Sequence, residues 1–174
     1  MTYALVLAFA FVLPLLAGIP VVGADLRAPS ITPLAMQAFC HRWPGECRAA
    51  PDGVAEWTPH LVTLLNQTNT GVNQDIGPRA DPGGDWEIEP AFGDCNDYVL
   101  TKRSRLIRLG VPPGALRVAI TTTRSGTAHA ILVVRTSAGD IVLDNLNGTI
   151  KTLAQSGYVL KAISTANPRH WARL

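Results

Sequence analysis

Three residue types far apart in the chain can together perform acyl transfer: the thiol of Cys95, the imidazole of His129 and the carboxylate of Asp144. A thiol attacks as the thiolate, so its surroundings must lower its pKa from the usual ~8.5. The first turn of a helix does this, because unpaired backbone N–H groups and the helix dipole favour negative charge. The same N–H groups can hold the oxyanion of a tetrahedral intermediate. Asp94 is a good N-cap, which puts Cys95 at the first position of a helix that Gly110 closes and Pro112-Pro113 prevents from continuing. The Asp94 carboxylate opposes ionisation of its neighbour unless it is occupied in capping the helix or in binding a cation.

A nucleophilic cysteine also needs a base, and the base needs an orienting group. Of the four histidines, His41 lies between two cysteines, His60 at a helix start and His170 near the C-terminus, whereas His129 opens an apolar strand. Asp144 falls in the next strand, where a carboxylate is out of place without a partner. In an antiparallel hairpin with an even-numbered loop, directly opposed residues have an odd index sum. His129 and Asp144 satisfy that parity, so both point to one face. Singly, each residue reads as structure: a small buried hydrophobe, a satisfied imidazole, a carboxylate bonded to a turn. Their combination is what points to chemistry.

The elements that must position them follow from periodicity. Residues 57–73 form a helix with Thr58 as N-cap, Pro59 at the first position and Trp57 stapled on Val62. Leu61, Leu64, Leu65, Thr68 and Val72 make its apolar face; Asn66, Asn69 and Asn73 face elsewhere and weaken its end. Residues 74–93, rich in Gly, Pro and Asp, form a long loop, and loops of that length tend to be functional. Within it Trp86 reads first as an anchor and second as the wall of a substrate groove. In the Cys95 helix, Val99, Leu106 and Leu109 face inward, while Lys102, Arg103, Arg105 and Arg108 read as a solvated basic face suited to the helix C-terminus. Three strands follow, Leu116–Thr123, His129–Thr136 and Asp140–Leu146, the last two joined by a turn at Ser137-Ala138-Gly139. Ala130 to Val134 is apolar throughout, as in a strand covered on both faces. The tail from Tyr158 adds one further strand and an aromatic plug at Trp171.

The 174 residues suffice for one domain, and 47% hydrophobic content supports a core. A net charge of +2, with no basic run, excludes nucleic acid as the main partner. Residues 1–24 lack Lys, Arg, Asp and Glu and end in Val22-Gly23-Ala24, the pattern of a cleaved secretory signal. Pro14 and Pro20 break the apolar run below the ~20 residues needed to span a bilayer. The mature domain then covers residues 25–174. In an oxidising compartment Cys40 and Cys47 pair across the Pro44-Gly45 turn and leave Cys95 as the free thiol. A metal site built from Cys40, His41 and Cys47 lacks a fourth ligand nearby.

Gly93-Asp-Cys-Asn-Asp-Tyr98, Thr101-Lys-Arg103, His129-Ala-Ile-Leu-Val-Val-Arg135 and Val142-Leu-Asp-Asn-Leu146 resemble the bacterial transglutaminase-like cysteine peptidase family. The resemblance reaches upstream to Phe39-Cys40, Cys47, Val72-Asn73 and Trp86, and downstream to Asn167-Pro168 and Trp171. It implies an α+β fold with a papain/transglutaminase-like core, in which a Cys-bearing helix packs on an antiparallel sheet bearing His and Asp. Cys95, His129 and Asp144 match the catalytic positions. Some members are calcium-dependent periplasmic proteases that release adhesins from the cell surface. Their calcium site maps to Asp94, Asn96 and Asp97, with Asn96 where they carry Glu, and one charge fewer weakens calcium binding. The reading is a monomeric, exported endopeptidase acting on a periplasmic or cell-surface protein, with a surface adhesin as one candidate substrate. Its oxyanion hole combines the Cys95 N–H with a donor from Asn73 or Gln74. Transfer of the acyl group to an amine, or silent binding on the same scaffold, are the alternatives.

Overall fold

The computed structural model describes residues 29–80 and 84–174. The expected signal segment, residues 1–24, lies outside them, as do Pro82 and Gly83 of the long loop. In chain order the elements are β1 (Pro29–Ser30), α1 (Leu34–Arg42), α2 (Pro59–Asp75), β2 (Gly77–Pro78), β3 (Phe92–Gly93), α3 (Cys95–Arg108), β4 (Leu116–Thr122), β5 (Ala128–Thr136), β6 (Gly139–Leu143), β7 (Lys151–Thr152), α4 (Leu153–Ser156), β8 (Ala162–Ser164) and β9 (Trp171–Arg173). Seven strands form one antiparallel sheet in the order β1-β9-β8-β4-β5-β6-β7. The fold is therefore the expected α+β arrangement, with the Cys95 helix packed on the sheet at β5 and β4, and α2 packed on that helix.

Strand alternation divides the core. Leu116, Val118, Ala130, Leu132, Val134, Ile141 and Leu143 face one cluster, which Phe39, Leu65, Val99 and Leu106 complete from the helices. Ala119, Ile131, Val133, Val142 and Ile163 face the other, with Leu153, Tyr158 and Leu160 packed against it. This two-sided burial accounts for the unbroken apolar run of β5.

Helix α2 starts as expected: the Thr58 hydroxyl accepts the Leu61 N–H and Pro59 occupies the first position. It extends to Asp75, past the anticipated end. The long loop is less irregular than its composition suggests, since β2 and β3 pair within it in parallel. Trp86 is an anchor as expected, buried in the core, and it also lines the cavity beside Cys95. The tail supplies two strands, β8 and β9, where one was expected, and Trp171 is buried as anticipated.

Leu109, expected to face inward, is the C-cap of α3 and is exposed, and packing corrects two further expectations. Lys102 and Arg103 are buried, at 0% and 2% exposure, so the basic cluster is not one solvated face. Arg103 donates to the Glu46 carbonyl and pairs with its carboxylate, while Ser104 donates to the same carboxylate at 2.8 Å. Glu46 lies within the loop closed by the Cys40–Cys47 disulfide, so this loop is fastened to α3. Only Arg105 and Arg108 keep a surface role, in ion pairs with Asp75 and Glu89. The second correction concerns Asn69 and Asn73, which face inward.

Candidate active site

The end of α3 that carries Cys95 is built by reciprocal capping. The Asp94 carboxylate accepts the Asn96 N–H at 2.9 Å, and Asp97 reaches back to accept the Asp94 N–H at 2.9 Å. A methyl group at position 93 would stand 2.4 Å from the Asp97 carboxylate, so the close approach of chain and cap requires Gly93. Cys95 thus occupies the first helical position and is half-buried, with its N–H at the positive end of the dipole. Occupied in this cap, Asp94 takes the role in which its charge is engaged.

His129 enters at the second residue of β5, opposite Thr121 of β4. The β5–β6 register pairs Thr136 with Gly139 and Leu132 with Leu143, so opposed residues carry odd index sums, as the parity argument requires. Asp144 is not inside a strand but one residue beyond β6. There its carboxylate meets His129, with Nε2 and Oδ1 2.8 Å apart. With Nε2 engaged by Asp144, Nδ1 is the His129 nitrogen left for the Cys95 thiol, which lines the same cavity. Cys95, His129 and Asp144 therefore converge at one end of the sheet, where β5 begins and β4 and β6 finish.

Asp144 is held on every side. Its Oδ1 also accepts the Leu146 N–H at 3.0 Å, and its Oδ2 accepts the Tyr158 hydroxyl at 2.6 Å. Its backbone N–H donates to Asn69 Oδ1 at 3.1 Å, and its carbonyl accepts from Asn73 Nδ2 at 2.9 Å. Asn69 and Asn73 are one helical turn apart on α2 and clamp both backbone groups of the residue bonded to the imidazole. Asn73 is thereby turned to Asp144, and Gln74 is exposed. Neither lines the cavity beside Cys95, so the structure does not bring the two suggested oxyanion donors there. The signal that could have assigned Asn69 and Asn73 their place is their spacing of four along one helix face.

The electrostatics follow from these bonds. Burial pushes the His129 imidazolium down, but hydrogen bonds to Asp144 and Cys95 outweigh it and hold the ring up at about 9. Burial raises the Asp144 carboxyl, yet the bonds from His129, Tyr158 and Leu146 bring it below its ordinary value. Tyr158 is shifted up by burial and by the adjacent Asp144, so its hydroxyl stays a donor. Its ring lies 5.8 Å from that of His129.

A cavity of about 590 Å³ opens beside the thiol, with Trp86, Ile120 and Ala35 as apolar wall and Asp94, Asn96 and His129 at the polar side. The residues to which the resemblance assigns calcium, Asp94, Asn96 and Asp97, are engaged with one another and with backbone N–H groups. Both Asp97 oxygens accept backbone N–H groups, from Glu87 at 2.8 Å and Asp94 at 2.9 Å. The Asp94 carboxylate accepts the Asn96 N–H and its Nδ2 at 3.1 Å and 3.2 Å. Among the described residues no three His, Cys, Asp or Glu side chains gather as a metal site would need, and calcium takes ~6–8 oxygens.

A cysteine at the start of a helix, packed on an antiparallel sheet whose end carries a paired histidine and aspartate, defines a transglutaminase-like cysteine peptidase. The chain belongs to the family of bacterial transglutaminase-like cysteine proteinases, whose model matches residues 27–174. Its architecture is similar to that of Legionella pneumophila LapG, with a TM-score of 0.54 at 22% identity over 61% of this chain and 64% of LapG. Calcium-bound LapG superposes with a TM-score of 0.56 at 20% identity over 79% of this chain and 77% of that one. At these identities the likeness is one of fold, and in the first superposition the chain spans less than two thirds of LapG. No curated protein matches the chain in sequence.

Proposed function

We propose that the protein is an endopeptidase in which Cys95 is the nucleophile, His129 its base and then its acid, and Asp144 the orienter of His129. The observation that carries this reading is the 2.8 Å bond between His129 and Asp144 at the wall of a cavity that Cys95 also lines. The Cys95 thiolate attacks the scissile carbonyl carbon, and the negative charge moves to the carbonyl oxygen. The Cys95 backbone N–H, at the helix start, supplies one donor to that oxyanion. As the C–N bond breaks, the His129 imidazolium gives its Nδ1 proton to the leaving amine and a thioester remains on Cys95. A water then loses a proton to His129, attacks the thioester carbon and releases the carboxylic acid, restoring the thiolate–imidazolium pair. No step requires a metal.

Family membership supports a protein as substrate. The apolar, Pro-broken segment ahead of residue 25 supports export, hence action on a periplasmic or cell-surface protein, for which an adhesin is the candidate that the resemblance offers. Cys95→Ala is expected to abolish cleavage and leave the melting temperature near that of the parent. Residual hydrolysis by the purified variant would remove Cys95 from the mechanism.

A further inference from the structure

Lys102 has no place in the chemistry above, yet it is the most unusual residue of α3. It is 0% exposed, and its Nζ has no hydrogen-bond partner. An ammonium carries donors and no acceptor, and one left buried without a partner is costly. Lys102 stands seven residues after Cys95, on the same helix face, with buried Val99 between them. The charge that acts on it is that of Asp144, and the Tyr98 ring lies 5.9 Å from its Nζ. Two other buried polar atoms without a partner are acceptors, Oδ1 of Asn73 and Oδ1 of Asn145. Both belong to residues adjoining Asp144, one by its hydrogen bond to the Asp144 carbonyl and one by sequence. Unmatched donor and acceptors thus belong to the region in which α2, α3 and the end of β6 meet.

Charge counting gives the reason for a lysine there. With Cys95 as thiolate and His129 as imidazolium, Asp144 is the charge left over, at 4% exposure. A buried charge persists when an opposite charge compensates it. We propose that Lys102 is a positioning residue of the catalytic centre, its buried ammonium balancing Asp144 so that an ionised carboxylate stays aimed at His129. The inference rests on the catalytic reading of Cys95. The titratable groups that bear on Lys102 are Asp144, which itself binds His129 and Tyr158, and Tyr98 on its own helix. Burial pulls the Lys102 ammonium down to about 7 while Asp144 opposes that shift.

Alkylation of Cys95 by iodoacetamide reads the site without a substrate, because Cys40 and Cys47 are tied in their disulfide. Lys102→Met keeps the aliphatic stem and removes the charge. At neutral pH it is expected to slow alkylation of the folded protein by about tenfold or more. The downfield NMR proton of the His129–Asp144 hydrogen bond is expected to shift or disappear. In an Asp144→Asn background the same substitution is expected to change the rate by less than about twofold, since the charge it balances is gone. A lysine that only fills space would leave the alkylation rate and the NMR proton unmoved, and that result overturns the proposal. If Lys102→Met alone does not fold, charge balance requires the double variant Lys102→Met/Asp144→Asn to fold, and its failure to do so also overturns the proposal. A parent Cys95 no more reactive than a free thiol overturns the catalytic reading itself, and the parent rate alone distinguishes that case.

Discussion

The Tyr158 hydroxyl donates to Oδ2 of Asp144 at 2.6 Å, which leaves the other carboxylate oxygen, Oδ1, for His129. Tyr158 follows Gly157, whose φ of 73° turns the chain out of α4 and brings the phenol over the sheet end. Tyr158→Phe removes one bond to a charged group and nothing else from the packing. A bond of this kind contributes about 1.5–3 kcal/mol, so kcat/KM is expected to fall about tenfold or more with a modest loss of stability. Unchanged kinetics would show that Asp144 is held well enough without it.

Asn69 is fully buried and makes three bonds, two donated to the carbonyls of Asn147 and Gly148 at 3.0 Å and one accepted from the Asp144 N–H at 3.1 Å. Asn69→Ala leaves those groups unpaired inside the protein. It is expected to cost about 2–4 kcal/mol in urea unfolding and to lower activity by releasing Asp144. A loss below about 0.5 kcal/mol would mean that water replaces the amide fully.

Stability should depend on pH through His129. Its folded pKa, about 9, lies above the ordinary value of 6.5, so the folded state binds the proton more tightly than the unfolded chain. The contribution is fully present below 6.5 and is lost as pH rises through about 9. Melting temperature is expected to decline across that window, by roughly 1–3 kcal/mol of stability at its end, and His129→Gln should flatten the decline. A profile that is flat from 6.5 to 9 in the parent would mean that the imidazolium is not favoured by folding.

Calcium should matter little. The Asp94 and Asp97 carboxylates are already bonded to N–H groups, and Asn96 contributes a neutral amide between them. EGTA is expected to change activity by less than about twofold and to leave the melting temperature in place, because binding calcium here would compete with these hydrogen bonds. Activity lost in EGTA and recovered with calcium would show that these hydrogen bonds yield to the ion.

The local structure of the site was legible in the sequence because it depends on neighbours. Asp94 before Cys95 reads as an N-cap and Gly110 with Pro112-Pro113 stops the helix, while the return of Asp97 to the Asp94 N–H came only with the structure. The Val- and Ile-rich runs become β4, β5 and β6, and the parity of His129 with Asp144 follows from a pleat of period two. The Cys40–Cys47 pairing was accessible for the same reason, a short loop with a turn inside it.

The tertiary structure alone decided what lies opposite a side chain. A run of Lys and Arg at the end of α3 looks solvated by composition, yet the packing of α3 on the sheet buries Lys102 near Asp144 and sends Arg103 to Glu46. Asn69 and Asn73 look like residues that weaken a helix until the end of β6 arrives beside them. Tyr158 sat in a tail whose pattern was too short to read. Residue type and spacing therefore determined where a thiol, an imidazole and a carboxylate stand along the chain. Which partners hold Asp144, and whether a cation is buried with it, depended on contacts between segments from 14 to 75 residues apart, where loop closure leaves no periodic trace in the sequence.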